Sequence, residues 1–279
     1  MSLENLNSWI EKSQVSRDIF TLGQVQLLEA TIKSISNGQL KNNEFLPPLW
    51  HWIYFHEASS IDKLGRDGHA AKGDFLPPID LPRRMWAGGR LTYERHPKIG
   101  QKITRNSTIK DITPKDGKSG KLCFVTVLHE FLDQDEQIIF TEEQDLVYRE
   151  DQTDTSARAP IITPPDNPTI SEKISPSPVL LFRYSALTFN SHRIHYDRDY
   201  CAEVEGYPGL VFHGPLTATL LANLAMQQNP GKKLQSFSFR ATAPLFDTQP
   251  FEIKTDGATT YWAETPEGSL AMKAKATFG

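Results

Sequence analysis

The spacing of apolar residues divides the chain into stretches of different character. In residues 1 to 40, Leu22, Val25, Leu28 and Ile32 recur at intervals of three and four, which predicts a helical N-terminal region. From Phe45 the pattern changes: the proline pairs Pro47/Pro48 and Pro77/Pro78 bracket the aromatic run LWHWIYF, which suits a buried strand or a short helix. ITRNSTIKDI, KLCFVTVLHEFL and IIFTEEQDLVYRE alternate apolar with polar residues and are rich in Val, Ile, Thr, Phe and Tyr, so they read as antiparallel strands. DITPKDGKSGK supplies the hairpin between the first two and DQDE the next. Residues 151–170, DQTDTSARAPIITPPDNPTI, show no periodicity and read as a linker. Beyond it, VLLFRYSALTF reads as a strand leading into a turn and DRDYCAEVEG as a short helix ended by Gly206. HGPLTATLLANLAMQQ is apolar on nearly every face, the mark of a helix buried all round, and stops at NPGKK. LQSFSFRATAPL, PFEIKTDG and SLAMKAKATF close the chain as further strands.

These elements fall into two halves, 1–150 and 171–279, which overlay approximately. GDFLPPIDLPRRMWAGGRL stands opposite GYPGLVFHGPLTATLL, and IGQKI opposite DTQPFEI. The expectation is an α+β chain in which a helix-plus-antiparallel-sheet unit occurs twice.

Composition narrows the function without choosing it. In 279 residues, 38% are hydrophobic and 23% charged, enough apolar material for a real core. The net charge is −4 and the basic residues are spread out, which argues against polymeric nucleic acid as a partner. No stretch approaches the ~18 apolar residues of a membrane span, and the start MSLENLNSWIEKSQ resembles neither a secretory signal nor an Arg-rich presequence, so a cytoplasmic location is expected. Cys123 and Cys201 stand far apart without a CxxC, which fits a reducing compartment.

The chemistry concentrates in FNSHRIHYD, residues 189–197. His192 and His195 approach ligand spacing, but no HExxH, cysteine or neighbouring carboxylate completes a metal set, so no metal is expected. A solvated loop with two chance histidines is the bland alternative. Against it, the pair precedes a second His-Gly, in LVFHGPL, where proline after glycine fits the first turn of a helix. Glycine there leaves its backbone N–H open to a ligand oxygen, and the helix dipole favours negative charge. A nearby histidine and asparagine could then position and activate water beside a thioester whose oxygen becomes anionic.

YSALTFNSHRIHYD followed by GYPGLVFHGPL resembles the hydratase signature of MaoC-like hot-dog proteins, in which an Asp-x-Asn-Pro-(Ile/Leu)-His segment holds the catalytic water and a later Val-His-Gly supplies an oxyanion N–H. LPPLWHW, FLPPIDLPRRMWAGGRL and EEQDLVYR extend the resemblance to the two-hot-dog subgroup that includes mesaconyl-C4-CoA and itaconyl-CoA hydratases and a mitochondrial dehydratase of fatty-acid synthesis. The resemblance implies a double hot-dog fold with an N-terminal helical extension, a first half that accommodates substrate and a second half, 171–279, that reacts. It places His195 on the family's catalytic histidine and Gly214 on its oxyanion glycine. Asn190 stands where the family has aspartate, and His192 where it has asparagine. An amide cannot take a proton, so the base must be a histidine: His195, with Asn190 holding water and His192 auxiliary, or the two histidines with roles exchanged. Asp197 could orient an imidazole or cap a helix. Arg83, Arg84, Trp86 and Arg90 of RRMWAGGR, with His213, are the candidate substrate-binding residues, the arginines for a carboxylate or coenzyme phosphate or else as solvated charges flanking a helix. The implied activity is addition of water to an α,β-unsaturated acyl-CoA, preferably a C5 dicarboxylic one, by a homo-oligomer, a dimer, that uses no cofactor. The rivals are a 3-hydroxyacyl-thioester dehydratase, a thioesterase and a non-catalytic acyl-CoA-binding protein.

Overall fold

The computed structural model describes residues 6–32, 39–117, 120–150 and 161–279. The expected N-terminal helical region is interrupted by a strand, β1 (Ser13–Ile19), whose residues alternate between exposed and half-buried; Leu6 and Asn7 ahead of it are helical, and α1 (Leu22–Glu29) after it buries Val25 and Leu28. The first half continues with β2 (Arg83–Tyr93), β3 (Lys102–Gly117), β4 (Gly120–Leu132) and β5 (Ile138–Arg149). β1 pairs antiparallel with β3, which explains why its period-two pattern prevails over a helix. RRMWAGGR, taken for a possible helix flank, lies within β2.

The second half comprises β6 (Ile170–Ile174), α2 (Pro178–Leu187), α3 (Arg198–Glu203), α4 (Gly214–Gln228), β7 (Leu234–Ala241), β8 (Phe251–Thr255), β9 (Thr260–Glu264) and β10 (Leu270–Phe278). VLLFRYSALTF is helical rather than a strand. Ser177 caps it by accepting from the Leu180 N–H at 3.2 Å, and Pro178 occupies the first turn, where its missing N–H costs nothing. β9 had no counterpart among the expected strands, since Tyr261, Trp262 and Ala263 are all buried and leave no alternation to read. Of the expected linker, residues 151–160 lie outside the described residues, and 161–169 form neither helix nor strand.

The strands make one antiparallel sheet in the order β1-β3-β4-β5-β2-β7-β10-β9-β8-β6. Outward from the β2–β7 junction the order β2, β5, β4, β3, β1 is matched by β7, β10, β9, β8, β6, so the halves repeat about that seam. The register of the repeat differs from the expected one. Leu46 N–H donates to Pro97 O as Phe212 N–H does to Leu245 O, and Ile99 N–H to Glu44 O as Asp247 N–H does to Leu210 O. IGQKI therefore stands opposite DTQPFEI as expected, whereas HGPLTATLL is matched by PPLWHWIYF and not by RRMWAGGRL.

In that position the second half has α4, with Leu216, Ala218, Leu221, Ala222, Leu224 and Ala225 all buried under the sheet. The first half has only a 3-10 turn, Trp50–Ile53, because Leu49 takes a left-handed backbone (φ 68) that a helix does not continue through. Trp50 Nε1 donates to Asn223 Oδ1 of α4 at 3.2 Å and ties the two inner elements together. At the seam, a Cβ on Gly88 would lie 2.5 Å from the Phe239 carbonyl oxygen and one on Gly89 2.8 Å from its ring, so only glycine lets the half-sheets approach this closely.

Candidate active site

His195 closes a 3-10 turn, Arg193–His195, that precedes α3. Asp197 caps α3 by accepting from the Tyr200 N–H at 3.0 Å and pairs with Arg193 at 2.7 Å; it is a capping residue and leaves the imidazoles alone. Asn190 Oδ1 accepts from the His192 N–H at 3.0 Å, which fixes the entry to the turn.

The segment before α4 then grips this turn. Val211 N–H donates to Ile194 O at 2.9 Å, and Val211 O accepts from His195 Nδ1 at 2.8 Å. A carbonyl only accepts, so Nδ1 carries the proton and the neutral ring presents a bare Nε2. His195 thereby offers one defined lone pair, on a ring anchored three residues before Gly214, the first residue of α4. The first N–H groups of a helix have no intrahelical acceptor, and glycine leaves its own uncovered. A Cβ at Gly214 would touch Trp86 Cε3 at 3.5 Å, so Trp86 stands at the helix start, its indole N–H buried without an acceptor among the described residues.

A feature absent from the sequence expectations completes the cluster. A hairpin of the first half, closed by the Leu64–Ala70 bridge and the Gly65 N–H to His69 O bond of 2.7 Å, inserts its tip against residues 191–193. Arg193 N–H donates to Asp67 O at 2.8 Å, and Ser191 Oγ donates to Gly68 O. Gly68 has φ +88, and a Cβ there would lie 2.0 Å from Ser191 O. The hairpin delivers Asp67 and His69: the carboxylate accepts from His69 Nδ1 at 2.8 Å and lies 4.0 Å from His192 Nε2. Four imidazoles consequently form a row, with ring centroids 4.1 Å apart for His69–His192, 5.5 Å for His192–His195 and 3.6 Å for His195–His213. Asp67, His69 and His192 also place three donor atoms within 4.8 Å of one another, supplying a carboxylate beside the imidazoles, whereas Asp197 of FNSHRIHYD is turned to Arg193 and the α3 cap.

Burial pushes the His195 imidazole down to about 4, with the Val211 hydrogen bond opposing only in part. His192 is lowered further by burial and by His69 and His195 beside it, and His213 falls well below the ordinary range by burial and by His195 and His192. His69 is lowered by burial against the opposing hydrogen bond to Asp67. Burial raises the Asp67 carboxyl, but the His69 hydrogen bonds outweigh it and hold it below the usual range. At neutral pH the row is uncharged and ready to accept a proton.

The other expected substrate contacts divide. Arg84 half-faces a cavity of about 630 Å³ that is also lined by Trp52, Ala70, Arg105, His129 and Glu142. Arg83 points the other way, where the strand's alternation buries it in an ion pair with Glu205 at 3.0 Å. Arg90 lies at the surface with Glu143 and Asp145, both at 2.7 Å. His213 is fully buried, its Nε2 within 2.8 Å of Ser185 Oγ, so it backs His195 rather than reaching a ligand.

Comparison with known proteins settles the family. The family model for hydroxyacyl-thioester dehydratase type 2 matches residues 49–247. The chain belongs to this family. The chain is 43% identical over 282 residues to the mesaconyl-C(4)-CoA hydratase of Chloroflexus aurantiacus, covering 100% of both chains. It is 28% identical to the mitochondrial hydroxyacyl-thioester dehydratase type 2 of Schizosaccharomyces pombe, over 78% of this chain and 80% of that one. Among solved structures, a MaoC-like dehydratase from Phytophthora capsici superposes with a TM-score of 0.72 at 14% identity, covering 100% of this chain and 98% of that chain. A Mycobacterium tuberculosis protein described as a double hot-dog superposes with a TM-score of 0.59 at 11% identity, over 96% of each chain. The fold of this family member is thus the double hot-dog.

Proposed function

We propose that the protein is a hydro-lyase that adds water to an α,β-unsaturated acyl-CoA, with a C5 dicarboxylic acyl group, itaconyl-CoA or mesaconyl-C4-CoA, as its preferred substrate and citramalyl-CoA as product. The observation that carries this reading is the bond from His195 Nδ1 to Val211 O, which leaves Nε2 bare and fixes it close to the start of α4. In the reaction, His195 Nε2 takes a proton from water as the water oxygen bonds to Cβ. In mesaconyl-C4-CoA, whose double bond is conjugated with the thioester, the double-bond electrons move toward the thioester, whose developing oxyanion is met by the Gly214 N–H and the helix dipole; itaconyl-CoA, with its double bond one carbon further out, first needs a proton shift to the mesaconyl isomer. Protonation at Cα completes the addition. No metal or redox cofactor enters this scheme.

The choice of a dicarboxylic substrate rests on Arg84, which lines the cavity with no ion pair to a carboxylate among the described residues, and on the mesaconyl-C(4)-CoA activity in the name of the full-length relative. Run in reverse, the same site would dehydrate 3-hydroxyacyl thioesters, a second reading favoured by the name of the family. The reading includes a cytoplasmic, homo-oligomeric enzyme; among the described residues no helix is long and apolar enough to cross a membrane.

The test is to incubate the protein with itaconyl-, mesaconyl-C4- and crotonyl-CoA and follow enoyl-thioester absorbance against free thiol. Loss of absorbance without thiol release is expected, fastest with the dicarboxylic substrates, and His195→Ala should lower the rate ~10²-fold or more. Thiol release would indicate a thioesterase, and no change with any substrate a binding protein.

A further inference from the structure

The proposed hydration accounts for the proton leaving water but not for the one arriving at Cα, and position 190, an amide, cannot supply it. We infer that the Asp67–His69 pair, carried on the first half's hairpin, is the second acid–base group of the site, and that His192 connects it with His195. This inference rests on the hydro-lyase reading.

The geometry selects the pair. His69 Nδ1 is held by Asp67 at 2.8 Å, and Asp67 Oδ1 accepts from the His69 backbone N–H at 3.0 Å, so the carboxylate fixes the ring and leaves Nε2 as its working atom. The next residue, Ala70, lines the 630 Å³ cavity together with Arg84. His192 overlaps His69 at 4.1 Å and meets His195 edge-on at 5.5 Å, so it stands between the two rings whose Nδ1 atoms are already engaged. The charged or titratable groups around His69 are Asp67 on its own hairpin, Arg84 on β2, and His192 and His195 from the turn before α3. Asp67 alone among these favours a protonated His69.

The proton balance closes. Water gives its proton to His195 Nε2 while its oxygen bonds to Cβ; that proton passes through His192 to His69 Nε2, and the enolate takes it from there at Cα. All three rings are then neutral again, and the enzyme regains its starting state with one water added across the double bond. In the dehydration direction the two outer histidines exchange roles. His69 is then a catalytic residue, Asp67 a positioning residue, and the site needs both halves of the chain.

The experiment compares full-length wild type, His69→Gln and Asp67→Asn for hydration of mesaconyl-C4- and itaconyl-CoA across pH, with melting temperatures to confirm folding. Because His69 must be unprotonated to receive the relayed proton, wild-type kcat should fall as pH falls through its pKa. His69→Gln should lower kcat by ~10²-fold with KM changed less than ~3-fold, and should lose that acid limb. Asp67→Asn, whose amide supports an imidazolium less well, should move the limb to lower pH, a displacement that a merely structural loop would not produce. A His69→Gln enzyme with near-normal kcat and an unchanged pH profile overturns the pair while leaving the hydro-lyase reading intact. Wild type inactive on every enoyl-CoA overturns both. Activity abolished by EDTA and restored by zinc or manganese overturns the proton role in favour of a metal held by Asp67, His69 and His192.

Discussion

Substituting Gly68 by alanine separates the hairpin from the rest of the molecule. The left-handed backbone at φ +88 costs an L-residue roughly 1–2 kcal/mol, and the added Cβ would lie 2.0 Å from Ser191 O, so the docked tip must retreat. Retreat breaks the Arg193 N–H to Asp67 O and Ser191 Oγ to Gly68 O bonds, each contributing about 1 kcal/mol. The sum of ~3–4 kcal/mol lowers the ratio of docked to undocked hairpin by roughly 10²–10³. None of residues 64–70 belongs to either apolar core cluster, so the rest of the fold should hold. The expected result is kcat/KM for enoyl-CoA hydration reduced by ~10² or more, with a melting temperature within a few degrees of wild type. Full activity in Gly68→Ala, or a crystal structure of that variant with Asp67 still against Arg193, would refute both the docking geometry and the need for it.

Other outcomes follow from the same arrangement. Asn190→Asp should retain or raise hydration in the enoyl-CoA assay, because a carboxylate can still accept from the His192 N–H and adds a proton acceptor. Acid should destabilise the fold early: the His195 imidazole is lowered to about 4, so between its unfolded value near ~6.5 and pH 4 the unfolded chain binds more protons, and stability falls with falling pH by up to ~1.4 kcal/mol per unit for each such histidine. Urea midpoints at pH 7.5, 6 and 5 would read this; a flat profile would contradict a neutral buried row. Gly89→Ala, which sets a Cβ 2.8 Å from the Phe239 ring, should lower the melting temperature by several degrees. Arg84→Met should raise KM for mesaconyl-C4-CoA several-fold while leaving crotonyl-CoA within about twofold, as steady-state kinetics would show.

Much of the second half could be read from sequence because its signals are local. His-Gly-Pro before an all-round apolar run fixed the start of α4, and the adjacent NSHRIH identified the turn that meets it. Ser177-Pro178 was an equally local helix-start signal, outweighed by the strand-like look of VLLFRYSALTF. Arg83 and Arg84 looked equivalent because sequence does not say which face of a strand meets the cavity; that parity is set only when β2 pairs on both sides. Asp67 and His69 stand far along the chain from His192, and the packing of Gly68 on Ser191 together with the Arg193 N–H to Asp67 O bond joins them. Their trace in the sequence was the histidine in RDGHA, preceded by aspartate and glycine, in a stretch with no periodicity of its own. The repeat was real but its register was carried by backbone bonds at Leu46 and Phe212, not by matching side chains.

Val211 uses both of its peptide groups on the turn that holds His195, and it lies in the same short segment as Gly214. The spacing between proton acceptor and oxyanion donor is therefore measured off along a single run of backbone, as on a ruler. Thermal drift of the surrounding loops shifts both ends together, so a substrate always meets them at one separation, whatever the length of the acyl group beyond.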